Sequence, residues 1–136
     1  MSPEETKTRT KQMLKALNSA DWENQLHEFS PSPEAHNEST SEMKPFREAF
    51  PDYHFSVSDE DMVAESDRVV FWGTVTGTHT QKFPVGELAG VEATGRKLTW
   101  YEVHYVKYED GKMVEHLLMV DGVSRLQQLG VLPMPE

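Results

Sequence analysis

The last third of the chain limits the fold most: TWYEVHYVKYEDGKMVEHLLMVDGVSRLQQLG, from Thr99 to Gly130. Two strand-like segments flank a tight turn at Glu109-Asp110-Gly111-Lys112. Asp-Gly is a strong hairpin signal, because both residues tolerate the positive φ that a tight two-residue turn needs. The expected hairpin has strands over 98–109 and 112–121, followed at once by a short amphipathic segment over 122–129. With Glu109 opposite Lys112, His104 faces Leu117, Glu102 faces Met119 and Trp100 faces Asp121. Alternation then gathers Trp100, Glu102, His104, Val106, Leu117, Met119 and Asp121 on one face. The other face carries Tyr101, Val103, Tyr105, His116, Leu118 and Val120. Three ionisable groups on an otherwise apolar face read as the wall of a pocket.

The first half of the chain has a different period. Ser2-Pro3-Glu4-Glu5 is a helix start with a capping box, and Met13, Leu14 and Leu17 recur at helical spacing to about Ser19. Asp21 can cap a second helix with Trp22, Leu26 and Phe29 on one stripe, broken by Pro31 and Pro33. Residues 30–41 (SPSPEAHNESTS) read as a loop, and a third helix is expected over Glu42–Phe50. From His54 onward the period is two. Arg68–Thr80 is a strand whose Gly73 and Gly77 suggest a bend or bulge. Residues 81–97 read as a long loop, with Phe83, Val85, Leu88 and Val91 as a packed lid. Helices followed by a curved, largely antiparallel sheet make an α+β chain of one domain, and 136 residues suffice for one core.

Charge narrows the partners. Acidic residues outnumber basic ones 23 to 13, for a net charge of −10. Nucleic acid and anionic membranes both need clustered Lys and Arg, so neither is an expected partner. No apolar run approaches the roughly 20 residues of a membrane span. The polar N-terminus lacks the apolar core of a secretory signal, so a soluble cytoplasmic protein is expected. With no cysteine, thiolate chemistry is excluded. His27, His36, His54, His79, His104 and His116 have no paired ligand spacing, so no metal is expected.

Four segments together carry a resemblance: FPDYHFSV (50–57), DRVVFWGTVTGTHT (67–80), ATGRKLTW (93–100) and YEDGKMVEHLLMVDGVSRLQQLG (108–130). In this order they resemble the SnoaL-like polyketide cyclase family, of the superfamily of nuclear transport factor 2 and ketosteroid isomerase. The resemblance implies a cone-shaped NTF2-like fold, with N-terminal helices wrapping a strongly curved sheet around an apolar pocket. It also implies intramolecular aldol condensation of a small apolar ester or ketone, without metal or cofactor. An aspartate near the end of the strand after the Asp-Gly-Lys turn is the family's acid/base, and the residue matching it here is Asp121. A second ionisable group comes from the preceding strand, for which Lys107 and His104 are the candidates. The chain departs from the family in carrying Leu117 for a tryptophan and Lys107 for an arginine. Its region 21–41 also looks shortened.

Each candidate has a plainer reading. Asp121 can be the N-cap of 122–129 as well as a catalytic group. His104 can be the second catalytic residue or a packed core histidine. Trp100, Glu102, His79, Leu117 and Met119 are candidates for substrate binding. His116 is expected to point away from the pocket. Tyr101, Tyr105, His116 and Leu118 on the outer face suit a homodimer. The alternatives are a non-catalytic small-molecule binding protein, an epoxide hydrolase and a ketosteroid-isomerase-like enzyme on the same scaffold.

Overall fold

The change of period becomes a division into wall and sheet. The computed structural model describes residues 1–82 and 91–134. Helix α1 (Pro3–Leu17) begins with the expected capping box, Ser2 Oγ accepting from Glu5 N and Glu5 reaching back to Ser2 N. It buries Met13, Leu14 and Leu17 against the sheet. A short α2 (Trp22–Gln25) runs into a tight turn of helix over Leu26–Phe29.

The stretch expected as a loop is instead the start of α3 (Pro33–Ala49). Ser32 Oγ accepts from Ala35 N and Pro33 occupies the first turn, where its missing N–H costs nothing. Most of its polar residues are exposed, although Thr40 is buried and Glu38 and Ser39 line the cavity, and so polar a stretch reads as a loop by composition alone. Pro45 lies inside this longer helix instead of near the start of a shorter one.

The strands are β1 (His54–Ser56), β2 (Met62–Glu65), β3 (Arg68–Thr78), β4 (Lys97–Glu109) and β5 (Lys112–Val120), with α4 (Gly122–Gln128) after them. All pairings are antiparallel, in the order β1-β3-β4-β5, with β2 also on β3. β1 and β5 thus form opposite edges of a curled sheet that does not close. The expected lid residues Phe83, Val85 and Leu88 lie outside the described residues.

The inner face is strictly alternating on β3, where Val69, Phe71, Gly73, Val75 and Gly77 are buried. Pairing of β3 with β4 runs unbroken past both glycines. They mark close approach, not a bulge. A Cβ on Gly73 would lie 2.0 Å from the Ser56 carbonyl oxygen, and one on Gly77 would lie 3.0 Å from Phe50. Edge strand β1 is also held from α1. Asn18 donates Nδ2 to the Phe55 carbonyl and accepts from Phe55 N, both at 2.8 Å.

The hairpin forms at the expected turn, with positive φ at Asp110 (51°) and Gly111 (75°). Its register then departs from expectation. Glu109 pairs with Lys112 and Tyr108 with Met113, but Lys107 pairs with Glu115, leaving Val114 as an extra residue. This bulge shifts the rest of β5 by one position and exchanges its faces. His104 therefore lies opposite Leu118, and Glu102 opposite Val120. Leu117 and Met119 stand on the outer face, 68% and 76% exposed. His116 and Leu118 come to the inner side, where β5 forms an open edge.

Candidate active site

β4 sends Trp100, Glu102 and His104 to the inner face in succession. All three are buried, Glu102 and His104 being 6% and 8% exposed. A carboxylate so placed must have its oxygens hydrogen-bonded to offset its desolvation. Glu102 Oε2 accepts from Trp100 Nε1 at 2.8 Å, and Oε1 accepts from His104 Nε2 at 2.9 Å. His104 Nδ1 lies 2.8 Å from His116 Nε2. The two imidazole planes differ by 11° with centroids 5.0 Å apart, so the rings meet through their edges and the bond lies close to both planes.

The proton positions follow from what each group can do. An indole only donates and an ionised carboxylate only accepts. His104 must therefore carry its proton on Nε2, which makes Nδ1 an acceptor when the ring is neutral. His116 then donates from Nε2, and its Nδ1 is left as a bare acceptor. The four side chains form one directed chain, Trp100 to Glu102 and His116 through His104 to Glu102. A proton arriving at His116 Nδ1 can be matched by transfer of the Nε2 proton to His104. The resulting imidazolium sits against the carboxylate. Phe71 stacks on His104 at 5.1 Å and 5°, and Phe55 packs on it at 5.1 Å, which fixes the ring.

This chain ends in a cavity of about 770 Å³, within the usual range of about 300–1,000 Å³ for small-molecule sites. Met13, Leu17, Leu26, Phe29, Met43 and Phe46 supply its apolar wall, and His116, Leu118 and Glu115 its β5 rim. The helical turn Leu26–Phe29 and α3 line the side where region 21–41 looked shortened. His116 is exposed at the β5 edge. Desolvation of its inner side against the cavity wall, with His104 beside it and Glu102 opposing, moves its pKa down to about 4. Solvent at the exposed side weakens that depression. Tyr53 also lines the cavity; burial and then the Glu102 charge push its pKa up, against Arg47. The Arg47 guanidinium lies 4.4 Å over the Tyr53 ring and donates to the Leu17 carbonyl at 2.8 Å. A shallower cleft of about 420 Å³ between α1 and β1 holds no comparable cluster.

The other candidates fall elsewhere. Asp121 is exposed and its carboxylate accepts from Ser124 N at 3.1 Å, capping α4. It is not among the residues lining the cavity. Trp100, expected as wall, instead supports Glu102 from behind and packs edge-on against Phe46 and Phe50. His79 is buried away from the cavity, stacked on Phe50 and accepting from Thr94 N at 3.2 Å. Burial lowers its pKa. Lys107 points outward on β4. His116, Tyr53, Arg47 and Arg125 are among the cavity residues that sequence reasoning did not assign. A bulge at Val114 leaves no glycine or other mark in the sequence, so His116 could not be turned inward from alternation. Among the described residues, no three His, Asp or Glu side chains are placed to hold a metal ion together. None of the helices there is long and apolar enough to cross a membrane.

A curled α+β sheet whose concave face carries the hydrogen-bonded chain Trp100-Glu102-His104-His116 beside a largely apolar cavity defines an NTF2-like pocket protein. The chain belongs to the SnoaL-like polyketide cyclase family, whose model matches residues 7–129. It is similar in structure to AclR from Streptomyces galilaeus, provisionally described as a hydroxylase, with TM-score 0.80 and 31% identity over 97% of this chain and 100% of that one. It is also similar to IdmH from Streptomyces antibioticus, provisionally described as a polyketide cyclase, with TM-score 0.72 and 25% identity over 96% and 100% of the two chains. TsrD from Streptomyces laurentii shares the fold at TM-score 0.77 and 20% identity, covering 97% and 99%. No curated protein matches the chain in sequence.

Proposed function

We propose that the chain catalyses intramolecular aldol-type ring closure of an apolar ester or ketone, using its own side chains as acid and base. The observation that carries this reading is the directed chain from His116 through His104 to Glu102, ending at an apolar cavity. The acid/base is assigned to this relay and not to Asp121, whose carboxylate is engaged as a helix cap at an exposed position. His116 Nδ1 takes a proton from the carbon beside a carbonyl. The C–H pair becomes the enolate, which attacks a second carbonyl of the same molecule. The relay then returns the proton to the new alkoxide. At pH 7 His116 is neutral and able to accept the proton, and a pKa of about 4 favours its return to the alkoxide more than its abstraction. Much of the acceleration is therefore assigned to holding both carbonyls in one cavity.

The test uses an aromatic β-keto ester with a second ketone placed to close a ring. The wild type is expected to give an isomeric cyclic product. His116→Asn is expected to lose about 10²–10⁴-fold in rate, while Asp121→Asn, which keeps a cap acceptor, retains most of it. An inactive Asp121→Asn with an active His116→Asn would reverse the assignment. Similarity to AclR, at 31% identity and provisionally described as a hydroxylase, favours a second reading, in which the same carbanion combines with dioxygen. Carbanion, dioxygen and the abstracted proton combine to a hydroperoxide, so mass spectrometry separates the two: that product is heavier by two oxygen atoms, whereas the cyclised one is isomeric with the substrate.

We propose, too, that two copies associate through the convex face. The bulge places Met119 beside Val103 and Leu117 beside Tyr105 there, with Tyr101 next to them and 65% exposed. Sedimentation at micromolar concentration is expected to show a dimer, and Met119→Glu a monomer. A monomeric wild type would refute it.

A further inference from the structure

The relay supplies a base but no donor for the oxygen that becomes negative when the substrate loses its proton. Tyr53 stands just before β1, two residues ahead of inward-facing Phe55 and on the same inner face by alternation. β1 and β5 are the opposite edges of the curled sheet, so Tyr53 and His116 enter one cavity from its two sides. The Tyr53 ring is clamped between the Arg47 guanidinium at 4.4 Å and the edge-on Phe46 ring at 6.2 Å. Among the described residues its hydroxyl has no hydrogen-bond partner, although the side chain lines the cavity.

Resting on the cyclase reading above, we infer that Tyr53 is a catalytic residue, donating its hydroxyl hydrogen bond to the substrate carbonyl whose enolate His116 generates. The C–H bond breaks, its proton goes to His116 Nδ1, and its electron pair enters the enolate. The negative charge collects on the oxygen held by Tyr53. The phenol remains a donor throughout, because burial and the Glu102 charge oppose its ionisation. The rigid clamp places the hydroxyl before the substrate arrives, which is what makes such a donor effective in a dry site.

The test needs no knowledge of the natural substrate. 2-Tetralone in deuterium oxide reports deprotonation by exchange at its α-carbons, followed by NMR. 2-Naphthol, planar and enol-like, reports the oxygen site by binding alone. Tyr53→Phe is expected to lower the maximal exchange rate about 10–100-fold with half-saturation within about threefold. It is also expected to weaken 2-naphthol binding about tenfold, with an unchanged circular dichroism spectrum. His116→Asn is expected to abolish exchange yet still bind 2-naphthol. Wild-type exchange rates in Tyr53→Phe, with His116→Asn inactive, overturn the role of Tyr53 and leave the base standing. Equal 2-naphthol binding by wild type and Tyr53→Phe overturns it too. A wild type that exchanges no deuterium, or wild-type rates in both variants, overturns base and donor together.

Discussion

Glu102→Gln is expected to lower turnover by about 10²–10⁴-fold while the protein stays folded. The change is isosteric, and its consequence is directional. Trp100 Nε1 can only donate, so the amide oxygen must face it, as Glu102 Oε2 does at 2.8 Å. The amide NH₂ is then turned to His104 Nε2, which has to become an acceptor. The His104 proton moves to Nδ1 and is donated to His116 Nε2, and the His116 proton moves to Nδ1. Every hydrogen bond survives, but the atom that faces the substrate is now a donor. The base is lost through the wrong tautomer, and raising the pH does not restore it. Rates near wild type in a folded Glu102→Gln would show that the relay is not the base.

The same cluster gives stability a pH dependence. The His116 pKa is held to about 4 in the folded chain, below the ordinary value of about 6.5. Between these values the unfolded chain binds a proton that the folded chain refuses. Stability contributed at this site is therefore fully present above about pH 6.5 and is lost as pH falls towards about 4. His79, lowered by burial, acts in the same direction. The His116 ring is open to the cavity, so its share is shallower than that of a fully enclosed imidazole. His116→Asn should flatten the dependence of melting temperature on pH across this window.

Gly73→Ala is expected to cost about 3 kcal/mol or more, beyond the usual range for a small overpacking change. The added Cβ would lie 2.0 Å from the Ser56 carbonyl oxygen and 2.9 Å from its carbon. Both belong to backbone, which cannot rotate aside as a side chain can. Relief requires β1 to move off β3, against the pairing of Phe55 with Val75 and the two Asn18 hydrogen bonds. Phe55 would move with it and leave the His104 ring it packs on at 5.1 Å. Thermal unfolding should show a melting temperature lower by roughly 10 °C, with weakened activity in the folded fraction. A melting temperature within a degree or two of wild type would mean that β1 is not seated over Gly73.

Much of this architecture could be read from the residues alone, because it depends on neighbours in sequence. The Ser2–Glu5 capping box, the Asp110-Gly111 turn and the alternation along β3 and β4 are local patterns. They correctly brought Trp100, Glu102 and His104 to one inner face. The N-cap reading of Asp121 was local as well, and the carboxylate does accept from Ser124 N. The start of α3 was less legible. Its solvent face is polar enough to look like a loop, and its buried side is defined only by the sheet it covers.

The far side of the site was decided by tertiary structure. The extra residue at Val114 moves β5 by one position, and a period of two turns that single step into an exchange of faces. Leu117 and Met119 leave the pocket for the convex surface, and His116 joins His104. No residue type near Val114 announces the bulge, because it is set by how β5 pairs with β4, not by a local preference. Sequence therefore determined the fold class and the β4 half of the relay. Only the packed sheet decided which histidine bonds to His104 and which tyrosine lines the same cavity.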